Sequence, residues 1–238
     1  MIRKFIRQTF FPQKRRYKKM LKLSTPQERF SQIYRQNLWS SAESRSGTGS
    51  TLEYTKNMQK ELSNLFLRHK ISSVLDAPCG DFNWMSEVIQ NHPDISYTGA
   101  DIVGELILDN QKKYASKNIS FRTLDITSGD LPSADLMIVR DCLIHLSFND
   151  IYSFLRNFCE SDIKLLLVGT HDSTAPLVNR PISTGEHRYV SLFESPVNFE
   201  NDPIYRFPDF VPPQPFQEQC LFDRSSVVKY LKNYTILQ

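Results

Sequence analysis

The sequence lacks the cysteine pairs that would make a disulfide framework or a structural zinc site. Its four cysteines, Cys79, Cys142, Cys159 and Cys220, are scattered, with no CxxC and no Cys/His ligand spacing. A reducing compartment is the expected setting. Missing too is any run of the roughly 18 to 20 apolar residues that a membrane-spanning helix needs. The longest apolar stretches, such as Leu165 to Val168, have strand length, and a soluble, cytoplasmic chain is expected. The N-terminus has no uninterrupted apolar stretch or small-residue cleavage site of a secretory signal, and no internal repeat is present. What is there suffices for a core. With 238 residues, 40% hydrophobic and 12% aromatic, the chain can build one large α/β domain or two small ones.

Acids are absent from the first 22 residues, which hold nine Lys/Arg: Arg3, Lys4, Arg7, Lys14, Arg15, Arg16, Lys18, Lys19 and Lys22. The rest of the chain carries 20 bases against 26 acids, so a basic head is joined to a mildly acidic body. Ile2, Phe5, Ile6, Phe10 and Phe11 interleave with its charges. One reading is a solvated extension with an aromatic anchor; its main rival is peripheral contact of residues 1–22 with anionic membrane lipid. Nucleic acid is a weaker third partner.

Periodicity divides the remainder. Two helices are expected over Pro26 to Asn37 and Leu52 to His69, the second with apolar Leu52, Met58, Leu62, Leu65 and Phe66 and with Ser50 or Thr51 as N-cap. The Ser/Gly-rich linker between them, Trp39 to Ser50, reads as too flexible to be core. From residue 71, short apolar runs alternate with helical stretches: Ile71 to Asp76, Ile95 to Asp101, Ile119 to Asp125, Ala134 to Arg140 and Ile163 to Thr170. That alternation predicts a doubly wound α/β domain, a mostly parallel sheet with helices on both faces. Residues 171–215 hold eight of the thirteen prolines together with six aromatics and read as an ordered lid. The tail, Phe216 to Phe222 and Tyr234 to Leu237 around a short helix at Ser225 to Leu231, can supply two last strands. The expected division is a basic extension over 1–25, a helical cap over 26–70 and an α/β domain over 71–238.

The most informative segment is Val74-Leu75-Asp76-Ala77-Pro78-Cys79-Gly80-Asp81-Phe82-Asn83-Trp84-Met85, an apolar strand ending in an acid, then a tight turn, then a helix start. In such a turn Gly80 lets the backbone approach a ligand closely. Asp101 follows Asp76 by 25 residues and ends the second apolar run, near the spacing at which a carboxylate accepts ribose hydroxyls of an adenosine cofactor. Asp125 ends the third run and can reach an adenine amino group. Each acid also has an ordinary explanation as a turn or helix cap.

Over residues 71–170 the chain resembles the class I S-adenosylmethionine-dependent methyltransferases. Their first loop usually reads acid, any, Gly, any, Gly, any, Gly; Gly80 matches the central glycine, while Pro78 and Phe82 replace the outer two. So few glycines could not wrap a pyrophosphate, but a methyl donor carries no phosphate. Asp76 to Met85, taken with Arg140-Asp141-Cys142-Leu143-Ile144-His145-Leu146, is similar more narrowly to small bacterial and viral methyltransferases, some associated with glycan synthesis. The resemblance extends through Ser46 to Leu52 and, more faintly, Asn179, Ile182, Gly185 and Arg188. It implies a Rossmann-like methyltransferase fold, S-adenosylmethionine as cofactor with S-adenosylhomocysteine as product, and an oxygen acceptor such as a sugar hydroxyl. It also implies donor contacts at Asp76, Ala77, Cys79, Gly80, Asp101, Ile102, Asp125, Ile126 and Arg140. A small metabolite or a protein side chain is the alternative acceptor. A donor-binding partner subunit without catalysis is the alternative class, supported only by Pro78 and Phe82.

Methyl transfer needs a base and an aligned acceptor. Asp141 and His145 fall at the carboxyl end of the fourth run, where open α/β sheets bind ligands; an imidazole of ordinary pKa about 6.5 suits the task. His171, at the end of the fifth run, is the second candidate base. Trp39, Arg188 and Tyr189 are candidate acceptor contacts. No metal is required; Asp141, His145, His171 and Asp172 holding a divalent cation is the lesser alternative.

Overall fold

The five apolar runs become the parallel strands β1 (Ser73–Asp76), β2 (Ser96–Asp101), β3 (Ile119–Thr123), β4 (Leu136–Val139) and β5 (Leu165–His171) of a computed structural model that describes residues 15–171, 178–199 and 203–236. Their ends differ from the periodicity by a residue or two. Side chains along a strand alternate between faces, and the core is split accordingly. Val74, Leu136, Ile138 and Leu167 join one apolar cluster with α2 (Lys56–Arg68), α3 (Asn83–Gln90) and α4 (Gly104–Tyr114). Leu75, Met137, Val139, Leu166 and Val168 join the other with α5 (Phe148–Glu160) and α6 (Arg224–Ile236).

Two antiparallel strands complete the sheet. β7 (Gln217–Asp223) pairs with β5 along its whole length, and β6 (Tyr205–Pro208) pairs with β7 at the edge, giving the order β3-β2-β1-β4-β5-β7-β6. The order reverses between β1 and β4, so the carboxyl ends of those strands flank the crevice where such sheets take ligands. β6 lies inside the segment expected to be all lid. The strand expected over Tyr234 to Leu237 does not form: α6 continues through Ile236, seated on the core by Val227 and Tyr230 three residues apart. Leu237 lies outside the described residues.

The cap begins with α1 (Pro26–Arg35), opened by a capping box in which the Thr25 side chain accepts from the Glu28 amide and the Glu28 carboxylate accepts from Thr25. Residues 15–20 are helical, and Met20 packs with Ile33 and Leu38 in a small third cluster. The last part of the basic head therefore belongs to the packed structure; residues 1–14 lie outside the described ones. The Trp39 to Ser50 linker is held, contrary to its composition. The Asp81 carboxylate accepts from the Ser44 hydroxyl (2.9 Å), the Arg45 amide (2.7 Å) and the Ser46 hydroxyl (3.2 Å), and the Asp81 amide donates back to Ser46 Oγ (3.0 Å). The chain then makes a 3-10 turn (Thr48–Ser50) and reaches α2 later than expected, so neither Ser50 nor Thr51 is its N-cap.

Phe82 explains one irregularity of the first loop. It takes the left-handed conformation (φ 58°) in which glycine is at ease, yet its ring is buried against Tyr97, Tyr114 and Phe121 at centroid distances of 4.9–5.2 Å. Packing of this aromatic cluster offsets the backbone strain. Restoring the usual glycine, Phe82→Gly, relieves the strain but empties the cluster, and should lower stability by about 3 kcal/mol in urea unfolding. Unchanged or increased stability would mean that the ring contributes nothing.

Candidate active site

A cavity of about 510 Å³ opens at the carboxyl ends of β1, β2, β4 and β5, between the cap and the segment after β5. The first-strand turn forms its floor. Asp76 closes β1 almost completely buried, with one carboxylate oxygen accepting from the Tyr97 hydroxyl at 2.7 Å. Gly80 is left-handed (φ 52°), and a Cβ there would lie 2.1 Å from Ser46 Oγ. The pinned linker thus by itself requires the glycine, which also lines the cavity. Its amide approaches Asp101 Oδ2 at 3.3 Å, while Asp101 Oδ1 accepts from the Val103 amide at 2.9 Å. Asp125 accepts from the Thr127 amide (2.9 Å) and hydroxyl (2.7 Å).

Cys79, Ile102 and Ile126 line this end of the cavity with the three acids. Ala77 does not; it is wholly buried beneath the turn in the sheet core, because the residue after Asp76 continues the strand's alternation. Arg140 reaches the cavity, but its guanidinium is committed to protein. Nε and an Nη meet Asp209 at 2.7 and 3.1 Å, and the other Nη meets Asp141 at 3.0 Å.

The other end of the cavity gathers Asp141, His145, His171, Trp39 and Tyr189, and adds His187 and Tyr17. Asp141 Oδ1 accepts from Gln217 Nε2 at 2.7 Å. His145 stacks on Trp39 (centroids 5.3 Å, 29°) and lies 5.5 Å from His187. Its Nδ1 is 2.8 Å from the Glu186 carbonyl, which can only accept, so Nδ1 carries the proton and Nε2 the free lone pair. His171 packs against Tyr189 at 4.9 Å. Arg188 does not line the cavity. Exposure alternates along His187, Arg188, Tyr189 and Val190, which turns Arg188 away from the cavity and lays its guanidinium 4.4 Å over the Phe148 ring. His187 was detectable by the same alternation, as the partner of Tyr189 on one face; Tyr17 had no signal beyond its place in a charged run.

Electrostatics distinguish the two ends. Burial raises the Asp76 carboxyl to about 7 against an opposing effect of the Tyr97 hydrogen bond, and raises Asp101 to about 6 against backbone amides. Burial pushes His145 down to about 4 and lowers His171 and His187 as well. Buried carboxylates short of positive partners suit a ligand that brings an ammonium and hydroxyl donors, as the methyl donor does. Among the described residues no group of three or more His, Cys, Asp or Glu is placed to hold a metal ion; Asp172 lies outside them.

No protein-family model matches the chain, and no curated protein matches it in sequence. Its fold is found among solved structures. A SAM-dependent methyltransferase from Leishmania major superposes with a TM-score of 0.61 at 13% identity, over 86% of this chain and 88% of that one. Magnesium protoporphyrin IX methyltransferase from Synechocystis, solved with SAH bound, gives 0.57 at 11% identity, over 84% and 100%. The N-methyltransferase NodS from Bradyrhizobium japonicum gives 0.52 at 15%, over 72% and 96%. The chain has the Rossmann-like fold of these methyltransferases.

The raised carboxyl of Asp76 makes a pH-dependent prediction. The folded state holds a proton that the unfolded chain, with an ordinary value of 3.8, releases earlier, so stability falls as pH rises from about 4 to about 7. Asp76→Asn removes that loss. Relative to their shared baseline below about pH 4, thermal unfolding should show it more stable than wild type by about 1–2 kcal/mol at about pH 5 and by up to about 4 kcal/mol at about pH 8; a pH-independent difference would refute the buried neutral acid.

Proposed function

We propose that the protein is a SAM-dependent methyltransferase acting on an oxygen acceptor, with a saccharide hydroxyl of a glycan the favoured acceptor. The observation that carries this reading is that one cavity joins the acids at the ends of β1 and β2 to His145, whose tautomer leaves Nε2 free as a base. Similarity to methyltransferase structures, one of them with SAH bound, supports the cofactor. All four cysteines are free, which supports a cytoplasmic setting.

Asp101 would receive the ribose hydroxyls of the donor, Asp76 its ammonium and Asp125 the adenine edge. When bound, the donor supplies a methyl group on a sulfonium, already a good leaving group. The remaining task is to orient the acceptor and take its proton. His145 Nε2 takes the proton from the acceptor hydroxyl, with the ring plane fixed by Trp39 and the Glu186 carbonyl. Asp141, tied to Arg140 and Gln217, is placed to stabilise the imidazolium rather than to act as the base. His171 is second in line. The aromatic faces of Trp39 and Tyr189 and the neutral imidazoles favour a sugar, a surface of hydroxyls and C–H groups. A small metabolite or protein side chain is the alternative acceptor. The non-catalytic partner-subunit reading loses support at Phe82, whose departure from the usual glycine is accounted for by packing.

His145→Gln should slow transfer by about 10²- to 10⁴-fold with donor affinity unchanged, and the wild-type acid limb should fall near pH 4, where His145 gains its proton. Asp101→Ala should weaken donor binding by about 1–3 kcal/mol in calorimetry. Wild-type turnover by His145→Gln would move the base to His171. Absence of any donor heat with the wild-type chain would remove the methyltransferase reading.

A further inference from the structure

The described part of the basic head does two things at once. Its inner face belongs to the rim of the cavity: Tyr17 lines it and donates its hydroxyl to the Gly185 carbonyl, and Met20 is buried in the cap with its sulfur beside Gly185. Its outer face presents Arg15, Arg16, Lys18, Lys19 and Lys22, all exposed. Among the described residues none of these five has a carboxylate partner. They are held out to solvent on and just after a helix fixed beside the cavity.

We propose that this helix docks the protein on a bilayer containing anionic lipid, with the mouth of the cavity toward the membrane. Charge complementarity selects the face. Residues 1–22 carry nine cations and no acid, while the rest of the chain has 20 bases against 26 acids and is repelled by an anionic surface. Composition selects lipid over nucleic acid. Residues 1–14 interleave Ile2, Phe5, Ile6, Phe10 and Phe11 with four more cations in sequence, the pairing of apolar and basic groups that an interface of headgroups and acyl chains rewards. Because Tyr17 itself lines the cavity, docking brings the mouth within about one helix diameter, roughly 10 Å, of the headgroups. The acceptor would then be one that the membrane presents. That last step rests on the methyltransferase reading; the docking does not.

Removing residues 1–22 is not a clean test, because Tyr17 and Met20 would go with the cations. The variant Arg15→Gln/Arg16→Gln/Lys18→Gln/Lys19→Gln/Lys22→Gln leaves both in place. In co-sedimentation the full chain should bind vesicles containing phosphatidylglycerol, not phosphatidylcholine alone, and should be released by salt. Each cation near such a surface contributes about fivefold in partition, so the variant should bind at least about 100-fold more weakly. A second variant, Arg3→Gln/Lys4→Gln/Arg7→Gln/Lys14→Gln, touches no described residue and should also weaken binding. Calorimetry with SAH should give the same affinity for wild type and both variants. Equal binding to both kinds of vesicle, no binding, undiminished binding by both variants, or displacement from vesicles by a DNA duplex would each overturn the proposal. Docking without any SAH affinity would instead leave this surface standing and remove the methyltransferase reading.

Discussion

The buried guanidinium of Arg140 is the constraint on which the active-site architecture depends. A charge so deeply enclosed, with 4% of its side chain exposed, is tolerable only when its donors are matched. Asp209 supplies both carboxylate oxygens and is itself held by Gln219 Nε2 at 2.7 Å. Asp141 takes the remaining Nη, and the rings of Tyr54 and Trp84 lie 5.9 and 5.6 Å from the guanidinium carbon. Those partners come from five places: the approach to α2, the start of α3, the loop after β4, the segment after β6, and β7. One cation therefore sets the relative positions of the cap, the first-strand turn, the acceptor-side loop and the antiparallel edge. The cluster holds one cation and two acids, with Gln217 and Gln219 donating to the carboxylates, so it is loss of Arg140 that would leave both acids without a cation.

This cluster also shows why part of the fold was legible in the sequence and part was not. Buried parallel strands announce themselves as apolar runs ended by polar residues, and Ile71 to Thr170 reads that way because both sheet faces are covered. β6 has no such signature. It lies at the edge, with one buried side chain, Phe207, among four residues, and its place is secured by pairing with β7 and by the Asp209 ion pair just beyond it. The tail was misread for the opposite reason. Tyr234 to Leu237 looks β-prone locally, but Val227 and Tyr230 bury at helical spacing and carry the helix onward. The linker before α2 looked mobile from its serines and glycines, and only the distant Asp81 carboxylate makes it ordered.

The site divides along the same line. Asp76, Asp101 and Asp125 were visible because strand ends and ligand edge coincide in this topology. Ala77 and Arg140 are expected from the resemblance and Arg188 from its place in the lid segment, and none of these grounds fixes the direction of a side chain. Strand alternation sends Ala77 into the core, a remote acid claims Arg140, and an alternating extended segment turns Arg188 inward while bringing His187 and Tyr189 to the cavity. Tyr17 depends on a contact 168 residues away and has no local signal.

The opposite displacements of acids and imidazoles give the cavity its chemical sense. At the donor end, Asp76 and Asp101 are held toward the neutral form by burial, and a cationic ligand restores their charge by pairing with it. Binding near neutral pH would therefore release protons, and affinity would rise with pH through the same range. At the other end, His145, His171 and His187 are all shifted toward the neutral form, and Arg140 sits between Asp141 and Asp209. That end carries no unpaired cation among these groups, and its surplus charge is acidic, from Asp141 beside the Arg140–Asp209 pair and from Asp150. It offers a lone pair on His145 and the faces of Trp39 and Tyr189, which under the proposed function would suit a neutral hydroxyl that becomes a nucleophile only as its proton leaves. A low proton affinity at His145 would make it a weak base on its own; in the proposed reaction the Asp141 carboxylate, which raises that affinity, would let the imidazolium persist while the methyl group moves.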